Sequence, residues 1–353
     1  MGLKDRVRES MAVPVGFQFA RPEFRAFANV QTFRQALHDQ EAATELIDAD
    51  AFARMDVDGR VLGIEEDALR LTKAAFGQLC HLCRLPVSYV ESLSCRDEAL
   101  AMDVVAEALR SMLHRDERKV MVVDTRTKVV HAFIDRESYD VLPNETILDL
   151  AMSAGRDIEM TRGFLDGPNV RVTVVDRTNI VAPKLGDVVR MGTDLTTNLG
   201  AENLIAVHAY NERLKCANGM VVRERGSSER VSARHDVAAE LPDVMVRSIN
   251  QGALVGPLMQ KSANTVLDEA GIGRMTTYLS DPKTGGNRRL VAEVVASAQR
   301  EARDDQRDEN ELTVWDFVNG VTEAARNSRT LNRRVDLEGM GYKVMAEFVG
   351  WES

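Results

Sequence analysis

The hydrophobic period of this chain changes twice, and that constrains the fold more than any single motif. Between Ile64 and Leu113 apolar residues recur every three or four positions, from Lys119 every second position, and after Pro242 every three or four again. The longer period is that of an amphipathic helix, the shorter that of a strand. Lys119–Asp124 and Val129–Ile134 flank Thr125–Lys128 as a β-hairpin, and a short helix follows from Asn144 to Ala154. Val170–Val174 alternates strictly, as a strand with one covered and one open face does. Strands over Val188–Thr197 and Leu204–Tyr210 surround a turn at 198–203, and Leu214–Val222 adds another around Asn218-Gly219. The connections are short and no helices alternate with the strands, so the sheet is mostly antiparallel.

The expected fold is therefore α+β, a central mostly antiparallel sheet flanked by N-terminal and C-terminal helical segments. The expected division is an N-terminal arm and helix over 1–60, a helical segment over 61–118, an antiparallel β core over 119–235 and a C-terminal helical segment over 236–353. In the first part, Phe24, Phe27, Phe33 and Leu37 recur at helical spacing. In the second, Thr72 is an expected helix cap and Pro86 breaks the run. In the last, one helix over Val244–Ala270 breaks near Gly256-Pro257. Residues 303–311 read as a solvated linker, and Thr313 with Asp316 opens the final helix as a capping box.

Among the 353 residues no apolar run approaches the roughly 18–20 needed to cross a bilayer, so no membrane partner is expected. Residues 1–9 lack a signal-peptide core, and four cysteines make no disulfide framework, which points to a reducing cytoplasm. The net charge of −10 argues against a uniformly basic surface but leaves room for a local basic groove.

Catalytic and metal chemistry find little footing. Cys80 and Cys83 have zinc-knuckle spacing, but a second pair is missing and both fall on the apolar stripe of their helix, as core cysteines do. The same stretch fits a helix-turn-helix, except that Arg84 stands at the usual glycine of the turn and the second helix turns only Ser88, Tyr89, Glu91 and Ser92 outward. Six scattered histidines accompany no nucleophile elbow, and Gly285-Gly286 belongs to no phosphate-loop fingerprint. No catalytic residue, metal ligand or cofactor is assigned, and the enzyme reading stays open with a lean against it.

The strongest electrostatic feature follows the sheet. From Glu212 to Arg234 six basic residues (Arg213, Lys215, Arg223, Arg225, Arg230 and Arg234) face three acids, around a Gly226-Ser227-Ser228 tip. Arg171 and Arg190 project from the strands toward what is expected to be the same open face. These eight residues are the candidate phosphate contacts, with Tyr210 as the nearby aromatic for base stacking. Arg288-Arg289 and Arg333-Arg334 are further basic pairs. The alternative for the whole segment is a mixed-charge loop closed by intramolecular salt bridges.

Several stretches in order carry a resemblance. They are Ala75–Leu79 with Leu85-Pro86 and Tyr89, Ala132–Ile134 with Tyr139 and Asn144, Gly186-Asp187 and Asn198–Gly200. Cys216–Gly219, then Trp315, Asn319 and Thr322, complete the set. Together they resemble the phage/plasmid-like family of uncharacterised mobile-element proteins, from about residue 65 to 325. Asp135–Tyr139 departs from the family's shorter segment. The resemblance implies a mobile-element context in a bacterial cytoplasm and no established activity. With the basic segment, it leads to the expectation of a protein of phage or plasmid DNA metabolism, in its most specific form a homo-oligomeric single-strand DNA binding and annealing mediator. The alternatives are a phage protein that docks on a host protein and an enzyme with an unrecognised site.

Overall fold

The computed structural model describes residues 19–20, 24–48, 57–58, 61–64, 67–113, 119–135, 143–155, 157–167, 169–198, 204–214, 218–221, 228–232, 237–328 and 331–350. The fold is α+β. The chain divides into two compact units, Met1–Glu23 with Ala36–Val141 and Asn198–Asn203, and Phe24–Gln35 with Leu142–Thr197 and Leu204–Ser353. Strand β1 (Phe24–Phe27) belongs to the second unit, and the boundary falls within helix α1 (Val30–Ala43).

The first unit carries a sheet of its own rather than an arm and helices alone. Its elements are β2 (Thr44–Asp48), β3 (Val57–Asp58), β4 (Val61–Ile64), β5 (Asp67–Leu71), α2 (Lys73–Leu82), α3 (Val87–Ser94), α4 (Glu98–Leu113), β6 (Lys119–Asp124) and β7 (Val129–Asp135). The strands line up in the order β2-β6-β7-β5-β4-β3, with β5 and β7 parallel. The expected hairpin is present as β6 and β7 with a bulge at Val122/Val123, and Lys128 takes φ +55 in its turn. Thr72 Oγ1 accepts the Ala75 amide at 3.1 Å, so the expected cap is made. Phe76, Leu79, Cys80 and Cys83 of the α2 region bury against Val90, Val105, Met121 and Phe133.

The second unit continues with α5 (Asn144–Ser153), β8 (Ile158–Asp166), β9 (Asn169–Lys184), β10 (Asp187–Asn198), β11 (Leu204–Arg213), β12 (Asn218–Val221) and β13 (Ser228–Ser232). The helices α6 (Val237–Leu254), α7 (Gly256–Asn264), α8 (Glu269–Ser280), α9 (Arg288–Asp304), α10 (Val314–Arg326) and α11 (Leu331–Met345) follow. The sheet runs β1-β8-β9-β10-β11-β12, and β13 also pairs with β11. The β1–β8, β8–β9, β10–β11, β11–β12 and β11–β13 ladders are antiparallel. Val189, Met191 and Ala209 of the sheet share a core with Ile249, Met259, Val294, Trp315, Phe317, Val321 and Met340 from the helices.

Four expectations change here. Phe24 and Phe27 lie in a strand, while Phe33 and Leu37 lie in α1. Asn218 and Gly219 pair with Arg213 and Glu212, so they lie in a strand, β12, and not in a turn. Residues 303–311 are not merely a solvated linker, because Arg307 donates twice to the buried Asp316, at 2.7 and 2.9 Å. Finally, Val170 to Val174 have no open face; all five residues are at most 2% exposed.

Candidate nucleic-acid interface

Arg171 occupies what would have been the open face. Paired across the ladder with Phe164, it lies 1% exposed. Its Nε donates to Asp194 at 2.6 Å and its Nη2 donates to Glu338 of α11, while Thr173 Oγ1 donates to the same Asp194 at 3.1 Å. Burial works against its charge, but Asp194 and Glu338 outweigh that effect and hold the guanidinium firmly protonated. Arg334 reaches the same carboxylate from one turn back along α11, its Nε 3.2 Å from Glu338. The Phe164 ring lies 5.6 Å from the Arg171 guanidinium and 4.7 Å from that of Arg334.

The lattice extends through Arg190, which donates to Glu159 at 2.9 Å and to Glu212 at 2.8 Å. Arg162 stands 3.6 Å from Glu212 and 3.8 Å from Glu338. Gly192 sits opposite Tyr210 in the β10–β11 ladder and has to be glycine, since a Cβ there would lie 2.1 Å from the Val174 carbonyl oxygen. Tyr210 is fully buried, and burial pushes its phenol upward. It offers no ring to a base.

Arg213 is also internal. Its Nε donates to Asp187 at 2.6 Å and its Nη2 to Glu301 at 2.9 Å, and Trp315 Nε1 donates to the second oxygen of Asp187 at 2.8 Å. Arg171 and Arg213 are thus corrected from phosphate contacts to buried ion-pair partners, and Arg190, half-buried, is held by Glu159 and Glu212. Their carboxylates came from distant parts of the sequence, which is why alternation alone read them as exposed.

Lys215, Arg223, Arg225 and Arg234 lie outside the described residues. Arg230 is exposed on β13, opposite Ala206. The topology around this segment is informative. β12 ends with Val221 opposite Tyr210, and β13 begins with Ser228 opposite His208. Six residues of sequence, 222–227, separate these two strands and include Arg223 and Arg225.

The basic pairs Arg288-Arg289 and Arg333-Arg334 divide between two places in the second unit. Arg334 enters the buried lattice, whereas Arg289 and Arg333 line a cavity of about 700 Å³ between α9, α10 and α11. One face of α9, with Arg289, Glu293, Ala296 and Arg300 spaced four, three and four apart, forms one wall. Arg289 donates to Glu293 at 2.8 Å and Arg300 to Glu323 of α10 at 2.7 Å.

In the first unit, Arg84 takes φ +55, so the α2–α3 turn adopts the left-handed step without a glycine. The exposed side chains of α3 are Ser88, Tyr89 and Ser92, and Glu91 pairs with Lys73, so α3 offers phosphates no cation. Burial pushes the Cys80 thiol up to about 11 and the Cys83 thiol up to about 12, as in an inert core. Among the described residues no cluster has the makings of a metal site, and no helix is long and apolar enough to cross a membrane. No family model, curated protein or solved structure matches the chain.

Proposed function

We propose that the chain is a nucleic-acid-binding protein of phage or plasmid DNA metabolism, one that holds single-stranded DNA by its backbone and acts as a homo-oligomeric annealing or recombination mediator. The phosphate contacts in this reading are Arg223, Arg225 and Arg230. The observation that carries it is Arg230, exposed on β13 where that strand borders β11, with Arg223 and Arg225 in the six residues of sequence that precede the strand. A cation displayed at a sheet edge meets phosphate without base-specific geometry. The resemblance to the phage/plasmid-like family adds the mobile-element context. With Arg171 and Arg213 buried in ion pairs, Arg230 is a sheet cation left exposed for a strand. A cytoplasmic setting belongs to this reading.

A second reading, docking on a host protein, is favoured by one observation. Ile180 and Leu185 of the β9–β10 hairpin are large apolar side chains at 55% and 103% exposure. Fluorescence anisotropy of labelled single- and double-stranded oligonucleotides separates the two. Micromolar or tighter single-strand binding, lost by at least tenfold in an Arg223→Glu/Arg225→Glu/Arg230→Glu variant, is expected. Absence of binding at low salt would sink the nucleic-acid reading and turn attention to the hairpin.

A further inference from the structure

We propose that the cavity between α9, α10 and α11 is a binding site for a 5′-phosphorylated nucleoside. That chemistry has two sources, a free mononucleotide and the phosphorylated end of a DNA strand. Only the second rests on the nucleic-acid reading above. The cavity's volume, about 700 Å³, falls within the range of small-ligand sites and far exceeds what a bare phosphate fills.

Its two ends and its floor differ in chemistry. At one end stand Arg289, two residues into α9, and Arg333, whose Nη1 donates to the Gly285 carbonyl at 2.6 Å and so is anchored beside the start of α9. Asn287 caps that helix, its Oδ1 accepting the Leu290 amide at 2.9 Å. Two guanidinium groups beside the positive end of a 17-residue helix select a phosphate. Arg289 is 89% exposed on its side chain and makes one described ion pair, so donors of its planar fork remain for a ligand.

The floor is apolar, with the buried Leu290 and Leu337 and the half-buried Ala324. Gly320 permits α10 to approach α9 so closely that a Cβ would lie 2.7 Å from the Val294 carbonyl oxygen. A flat base or sugar face covers such a floor, and Asn327 and Ser328 on the wall supply polar atoms for its edge. Glu293 decides against a continuous strand. It lies between Arg289 and Arg300, which are about 16 Å apart along α9, and a second and third phosphate would run past its carboxylate. One phosphorylated end fits, and a chain of phosphates does not.

The test uses the full chain and two readouts. Calorimetry compares adenosine 5′-monophosphate, adenosine and inorganic phosphate. Anisotropy compares one single strand bearing a 5′-phosphate with the same strand bearing a 5′-hydroxyl. The expected result takes one of two forms. In the first, the mononucleotide binds at least tenfold more tightly than adenosine or phosphate. In the second, the phosphorylated strand outbinds its hydroxyl counterpart by a similar factor. In either form Arg289→Glu weakens binding by about tenfold to a hundredfold, the range of a lost charge-assisted contact. Arg289→Ala serves as a second, smaller perturbation at an exposed position. The inference is overturned if neither phosphorylated probe is preferred, or if Arg289→Glu leaves the preference intact. Failure of the sheet-edge reading would look different: oligonucleotide affinity would be indifferent to Arg223→Glu/Arg225→Glu, with the mononucleotide arm untouched.

Discussion

Arg213 illustrates what a guanidinium does inside the second unit. It holds Asp187 and Glu301 together, and Asp187 in turn receives the Trp315 indole. Removing it leaves two carboxylates without their cation, one of them only 1% exposed. Breaking a buried pair from one side costs about 3–5 kcal/mol. Arg213→Ala is therefore expected to lower the denaturation midpoint substantially, while the folded protein keeps its oligonucleotide affinity; chemical denaturation and anisotropy on the same sample check both halves. His131 gives a pH effect in the first unit. Burial lowers its pKa below the ordinary 6.5, with Asp124 opposing, so the unfolded chain takes up the proton first. Its contribution to stability is full above pH 6.5 and is lost as pH falls below it. Urea denaturation at pH 7.5 and 5.5 should show a smaller acid loss in His131→Gln than in the unsubstituted chain.

Elements with strong local signals were legible from sequence, and those whose partners lie far away were not. The β6–β7 hairpin, the Thr72 cap and the start of α10 depend on residues within a few positions. At α10 the reciprocal bonds form as expected: Asp316 N donates to Thr313 Oγ1 at 3.2 Å, and Thr313 N donates to Asp316 Oδ2 at 2.8 Å. Thr313→Ala should cost about 1 kcal/mol from the lost cap. Because Asp316 also receives Arg307, the helix register should survive, which thermal melts and circular dichroism check. By contrast, β2 and β5 are short and take their strand character from neighbours, β6 for one and the parallel β7 for the other. Alternation over Val170–Val174 in β9 predicts a strand, which forms, and an open face, which does not. Its polar positions face carboxylates from β10 and α11, information that no local window holds.

At the scale of the molecule, α+β was readable because the periods change at long intervals, while the presence of two separate sheets was not. The first sheet mixes strands drawn from either side of three helices, so its pairing is nonlocal. The candidate site was legible only in part. The excess of cations after Glu212 is real in sequence, but Arg213 is folded inward, as is Arg171 from upstream in the sheet, Arg190 is half-buried in ion pairs, and Arg230 is displayed. The cavity beside α9 needed three helices to come together before Arg289 and Arg333 had a common use.

In the proposed reading Arg223, Arg225 and Arg230, not the sheet's buried arginines, hold a DNA backbone. A salt titration of single-strand affinity tests it most directly. Three phosphate contacts give a slope of log K against log salt of about −2, roughly a 20-fold loss between 50 and 200 mM. The account predicts that slope for the unsubstituted chain and a slope near zero once Arg223, Arg225 and Arg230 are replaced by alanine. A slope that stays unchanged in the triple variant would contradict it.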